Sequence, residues 1–296
     1  MDAATLAHAY QQAGFTVLTT ASTSWIMGEH RTALNVATLE DVFPTREEIR
    51  QVLSGGAAIV RFPTRADLEP NCIEFVLKAD KYDLTVIKQK ARNQTRRGLE
   101  RCQVRPALEQ EILTRGLEIN HLVLGRQSRS SQFLVVPERW ERYVKTFLSL
   151  SDVRAFVACV DGKIAAYMLT WVVGEKIVLV HPFLDRQFQN AYPINALVYT
   201  AINDVRSQAG PLPVSYGFES IWRIEALDHF KTGMGFEAIG RLRVTVFSGM
   251  TNLVLGTRLA KLVKALPVVG KKIGPKLQRL AEEKQVGLKW LAMQER

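Results

Sequence analysis

Two short stretches of this chain carry residue types and spacings that could do chemistry. Residues 191–206 read Ala-Tyr-Pro-Ile-Asn-Ala-Leu-Val-Tyr-Thr-Ala-Ile-Asn-Asp-Val-Arg. Pro193 marks a helix start, because the first helical position has no use for the N–H that proline lacks. An apolar run at 176–180 precedes this helix and a second strand-like run, 213–218, follows it. A helix start holds unsatisfied N–H groups and the positive end of the helix dipole, so beside the end of a sheet it could seat a phosphate-bearing donor. The same residues also suit an ordinary helix start. The second stretch, residues 88–97, reads Lys-Gln-Lys-Ala-Arg-Asn-Gln-Thr-Arg-Arg. Lys90, Arg92 and Arg96 could hold an anionic substrate, since guanidinium groups bind phosphate and carboxylate in bidentate fashion. The other reading of such a run is a solvated basic helix face. The five histidines, His8, His30, His121, His181 and His229, make no metal-ligand spacing, so no metal is expected. No nucleophile elbow and no Walker-type loop is present.

The elements that must position these stretches follow from pattern. Short strands are expected at 15–20 and 24–29. Pro44-Thr45 opens a helix in which Glu48 can close a capping box with Thr45. A strand at 57–62 should end at Pro63, and further strands are expected at 71–77 and 82–87. Residues 109–124 form an amphipathic helix closed by Gly125, residues 126–132 a polar loop, and a further helix begins at Pro137. Strands 153–160 and 163–173 flank Asp161-Gly162, a two-residue hairpin signal because that turn needs positive φ. A third strand follows at 177–181. A loop, 182–192, leads to the helix that begins at Pro193. Residues 221–234 supply a last helix before Gly235-Phe236, and 237–247 a closing strand. The tail reads as two basic helices interrupted around Pro267 and Pro275.

At 296 residues the chain can bury a sizeable core, and 47% hydrophobic with 23% charged residues is an ordinary globular balance. No apolar run reaches the roughly 20 residues a membrane span needs. The N-terminus lacks the pattern of a secretory signal. Three scattered cysteines, Cys72, Cys102 and Cys159, argue for a reducing compartment and against a disulfide frame. The expectation is a cytoplasmic protein, with membrane association open to it. The net charge of +10 is concentrated. Residues 88–105 hold seven basic residues against one acid, and residues 251–296 hold ten against three, which leaves the rest mildly acidic. Such local fields suit a nucleotide cofactor, a tRNA or an anionic lipid surface.

The order strand, open loop, helix start, strand, helix, Gly-Phe over residues 153–247 resembles the second half of the acyl-CoA N-acyltransferase (GNAT-like) fold, in particular its FemAB-like branch. That resemblance implies an α/β (α+β) architecture with a mixed central sheet flanked by helices and two related halves. The acyltransferase domain would occupy 1–248, with a first half at about 1–105 and a donor-binding half at about 153–248. A basic amphipathic helical tail would occupy 249–296. In that fold adjacent central strands splay, the donor's arm bonds to exposed backbone, and the following helix start receives its phosphates. Ordinary acetyltransferases carry a glycine loop there. Here Gln187-Phe-Gln-Asn-Ala-Tyr-Pro-Ile-Asn195 has no glycine, and Pro193-Ile-Asn195 is similar to the Pro-x-Asn entry of FemAB-like members. The basic run at 88–97 and Phe230-Lys231 before Gly233 also resemble features of that branch.

The resemblance implies an N-acyltransferase moving an acyl or aminoacyl group to an amine by direct attack in a ternary complex. The donor would be an acyl-CoA or an aminoacyl-tRNA, and the acceptor a small-molecule or lipid-linked amine. Donor binding would fall to Gln189, Asn190, Tyr192, Pro193, Ile194, Asn195 and Lys231, and substrate binding to Lys90, Arg92 and Arg96. Amide formation needs a deprotonated amine. Glu219, after the strand at 213–218, is the first proton acceptor to consider, with Tyr216 and His181 behind it. The competing expectation is a nucleic-acid-binding or membrane-surface protein that uses its basic segments without catalysis, the membrane contact running through 251–296.

Overall fold

The computed structural model describes residues 1–127, 131–220, 224–249, 251 and 267–294. Helix α1 (Ala3–Gln12) is capped by Asp2, which accepts a hydrogen bond from Thr5 N at 2.8 Å. Strands β1 (Val17–Thr19), β2 (Ser24–Met27) and β3 (Thr32–Asn35) follow. Helix α2 (Arg46–Ser54) begins with the expected capping box between Thr45 and Glu48. Strands β4 (Ile59–Thr64) and β5 (Cys72–Leu77), helix α3 (Gln89–Arg101) and strand β6 (Gln103–Pro106) come next. A three-part helix is formed by α4 (Glu109–Glu111), a π-helical turn at Ile112–Gly116 and α5 (Leu117–Arg126). The carbonyl of Ile112 in that turn accepts from the indole N–H of Trp140 at 2.9 Å, so the widened turn keeps a partner. Helices α6 (Gln132–Val135) and α7 (Pro137–Leu148) lead to β7 (Val153–Val160), β8 (Lys163–Val173) and β9 (Lys176–Leu184). The last elements are α8 (Pro193–Ala209), β10 (Val214–Phe218), α9 (Glu225–Gly233), β11 (Glu237–Phe247) and α10 (Pro267–Met293).

The eleven strands lie in the order β1-β2-β3-β4-β11-β5-β10-β9-β8-β7-β6. β11 joins the two halves of the sheet. Its first residues, 237–241, pair with β5, and 242–247 pair with β4. Asp161 and Gly162, at φ 48° and 73°, make the tight turn between β7 and β8. One face of the later sheet is covered by α1, α5 and α7 around Trp140, Phe147 and Tyr167, and the other by α3 and α8 around Leu197, Ile202 and Met234. A third cluster joins β2, β4 and β11 to α2 and α10 through Trp25, Phe62 and Trp290.

Several expectations are corrected here. Residues 82–87 form a connecting loop rather than a strand. Their apolar side chains are still used: Tyr82 is buried and its hydroxyl donates to Met234 O at 2.9 Å. Pro63 does not end β4, which runs on to Thr64. The Pro63 carbonyl accepts from Val42 N, so its missing N–H faces that same side and leaves the ladder to β11 intact. Helix α1 and strand β3 had no separate signal in the sequence. α10 begins at Pro267 and continues through Pro275. The expected first tail helix at 251–266 beyond its first residue, the middle of the polar loop at 128–130 and the start of the last domain helix at 221–223 lie outside the described residues.

Candidate functional site

The site is built on a parting of two parallel strands. β9 and β10 pair at Val214↔Ile177 and Ser215↔Val178 only, while β9 continues to Leu184 and β10 to Phe218. Beyond Val178 and Ser215 the strands have no ladder between them. On the β8 side, β9 carries a bulge: Leu169 opposes Val180 and Tyr167 opposes Phe183, so His181 and Pro182 together face Met168. His181 takes φ 52°, a left-handed conformation that lets the extra residue fit. The bulge lies three residues past the last paired position, on the stretch of β9 that borders the gap.

A cavity of about 340 Å³ lies in front of the gap. Its wall includes Val178, Val180 and His181 from β9, and Gly217 and Phe218 from β10. α1, α7, β8 and the loop at 36–40 complete it. The His181 ring stands 3.3 Å from the Tyr143 hydroxyl.

Behind the gap lies Lys231, only 2% exposed. Its Nζ stands over the rings of Phe75 and Tyr216 at 4.3 and 5.1 Å from their centroids, and donates to Phe218 O at 3.5 Å. Burial pushes its ammonium down to about 8, with Asp228 and Glu219 pulling part of the way back. The sequence assigned Lys231 to the donor, and the structure brings it to the carbonyl at the end of β10. Tyr216 is buried in the same rear wall, where burial pushes its phenol well up. Glu219, just past β10, is engaged from outside: Arg279 of α10 donates to its carboxylate at 3.0 Å.

The helix start is formed as expected, and it is covered. Tyr192 takes a left-handed conformation before Pro193, and α8 has no side-chain cap. α3 lies across it. A Cβ at Gly98 would stand 2.7 Å from Tyr192 O, so glycine is what lets the two helices approach. Cys102 Sγ and Arg101 Nη1 donate to Ala191 O and Asn190 O at 3.4 and 3.2 Å. Asn195 is buried and its amide donates to Met234 Sδ at 3.4 Å, while Gln189 and Asn190 are exposed and Ile194 is half-buried. The basic run and the helix start, far apart in sequence, are therefore neighbours. Lys90 and Arg96 are exposed on α3 with no ion pair or hydrogen bond among the described residues. Arg92 is turned inward, bonding Ile87 O at 3.0 Å and Thr85 O at 3.3 Å.

Two features escaped sequence reasoning. Arg115, from the π-helical turn, pairs with Asp185 at 2.5 Å and so braces the loop that leads to α8. The aromatic wall residues Tyr10, Tyr143 and Trp171 carry no local signal that sets them apart as cavity-lining. The one signal for the bulge was His181-Pro182, a proline inside an otherwise continuous strand. Among the described residues no group of three or more His, Cys, Asp or Glu could hold a metal ion.

No family model matches the chain, and no curated protein matches it. Solved structures do. FemX aligns over 88% of this chain and 93% of its own at 11% identity and a TM-score of 0.58. The C-terminal domain (DUF2156) of a protein described as a lysylphosphatidylglycerol synthetase, from Agrobacterium fabrum, aligns over 85% of this chain and 90% of its own at 13% identity and a TM-score of 0.56. L-PGS from Bacillus licheniformis aligns over 93% of this chain and 97% of its own at 12% identity and a TM-score of 0.51. With its mixed sheet flanked by helices, its parted parallel strands and these neighbours, the chain has a GNAT-like fold.

Proposed function

We propose that the chain is an acyl- or aminoacyltransferase that works at the gap between β9 and β10. The observation that carries this reading is the end of pairing beyond Val178 and Ser215, with a buried lysine behind the opening and a cavity in front of it. Bare backbone groups at parted strands can hold a donor's arm, and Lys231 supplies a positive charge where the carbonyl oxygen becomes an oxyanion. The acceptor's neutral amine attacks the carbonyl carbon, a C–N bond forms, and the C–S or C–O bond to the donor breaks. The leaving thiolate or ribose oxygen takes a proton, and the nitrogen gives one up. His181, in the cavity wall, is better placed to accept that proton than Glu219, which Arg279 already engages. Tyr216 serves as packing under Lys231.

The donor's phosphates belong on the outer side, at exposed Gln189 and Asn190 and half-buried Tyr192, against which α3 packs through Gly98, Arg101 and Cys102 while its Lys90 and Arg96 stay exposed. That surface favours an aminoacyl-tRNA donor over coenzyme A, because its cations are exposed and the helix start has no glycine loop. The name of one neighbour, lysylphosphatidylglycerol synthetase, is that of an enzyme placing an aminoacyl group on a lipid, and it supports a lipid-linked acceptor. Among the described residues no helix is long and apolar enough to cross a membrane.

The test is single-turnover transfer from acyl-CoA and from mixed aminoacyl-tRNA to amine acceptors, including those of lipid vesicles. Transfer that falls about a hundredfold in Lys231→Met, a drop of the size seen when one oxyanion donor is removed, supports the reading. Transfer from neither donor, or full activity in Lys231→Met, overturns it.

A further inference from the structure

The cavity in front of the gap has a chemical character that narrows what can be transferred. Its wall is made largely of aromatic and aliphatic side chains, among them Leu6, Tyr10, Val36, Trp171 and Val180. Acid is nearly missing from it. Among the described residues the one carboxylate in the wall is Glu40, an exposed residue at the mouth, and the one lysine, Lys176, is already paired with buried Glu74 at 3.0 Å. The indole N–H of Trp171 is buried in this wall without a hydrogen-bond partner. A cationic side chain brought past Glu40 would lose its water and meet no further carboxylate in the wall, which is unfavourable. An apolar group would gain from leaving water. The cavity reaches the gap at Val180, His181 and Phe218. The rear of the gap is filled by Phe75, Tyr216 and Lys231. A substituent on a carbonyl held in the gap must therefore point forward into the cavity.

Resting on the transferase reading above, we propose that the transferred group is uncharged and apolar, with its side chain or alkyl chain seated in this cavity, and that a lysyl group is rejected. Two sources share that chemistry: the acyl chain of a thioester and the apolar side chain of an aminoacyl ester.

Equilibrium binding to the full chain separates them. One arm compares coenzyme A, acetyl-CoA and octanoyl-CoA. The other compares the stable amides 3′-leucylamino-3′-deoxyadenosine and 3′-lysylamino-3′-deoxyadenosine. At least tenfold tighter binding of octanoyl-CoA over acetyl-CoA, or of the leucyl over the lysyl amide, supports the proposal, and the arm that responds names the source. The preference should collapse in Val36→Trp, which fills the cavity, while binding of the unsubstituted parent in the responding arm persists. The wild-type comparison stands by itself if that variant fails to fold. Equal binding within both arms, or preference for the lysyl amide, overturns this proposal and leaves the transferase reading standing. No binding by any probe removes both.

Discussion

Lys231 places its Nζ 4.3 Å from the centroid of the Phe75 ring, inside the rear wall of the gap, where two aromatic faces take the place of water. That arrangement lowers the cost of a buried cation without supplying a full counter-charge. The ammonium is therefore kept, yet its affinity for a proton falls to about 8.

The pH dependence of transfer follows. If the charged form stabilises the oxyanion, the rate must fall as pH rises through about 8, the value to which burial pushes Lys231. A rate–pH profile with a descending limb there, absent in Lys231→Met, is the expected result. A rise through the same range would make Lys231 the proton acceptor instead.

Stability carries the same signature with a defined sign. Lys231 releases its proton at about 8 when folded and near its ordinary 10.5 when unfolded, so between those values the unfolded chain holds more protons. Stability should rise with pH across that window. Denaturant titrations at pH 7.5 and 10 should show that rise, and Lys231→Met should abolish this contribution.

Gly98→Ala should destabilise the packing of α3 on α8. The new methyl would meet Tyr192 O at 2.7 Å, a backbone atom that cannot turn aside. We expect a cost of about 1–3 kcal/mol in chemical denaturation, the usual range for overpacking, together with weaker donor binding.

Exposed Lys90 and Arg96 make a salt prediction. If they meet the backbone of a tRNA donor, Lys90→Gln with Arg96→Gln should weaken binding and reduce the log–log salt slope by about two, one for each phosphate that is no longer neutralised. Unchanged affinity in filter binding across a salt series would assign α3 a solvated face.

α10 should undock in acid. Burial works against the Glu283 carboxylate, but Arg61 and Arg243 outweigh it and hold it below its ordinary 4.5. The stability this pairing contributes is present above pH 4.5 and lost as pH falls through the lowered folded value. Proteolysis within residues 267–294 should accelerate on acidification. Glu283→Gln should show that susceptibility already at neutral pH.

The capping box at Thr45 and Glu48, the Asp161-Gly162 turn and the start at Pro193 each depend on neighbours within a few positions, so pattern alone found them. Residues 82–87 misled because burial, not pairing, explains their apolar content. Glu219 looked like a free acid because nothing local announces Arg279, 60 positions away.

The sequence by itself determined the order of elements, the helix start beside the sheet and the basic character of residues 88–105, since these follow from local propensity and charge. Only the tertiary structure decided that β9 and β10 part after two paired positions, that Lys231 enters the opening from behind, and that α3 covers the helix start. The reason is physical. Strand parting, burial and close helix approach depend on which distant side chains fill the same space, and one-dimensional spacing does not encode that.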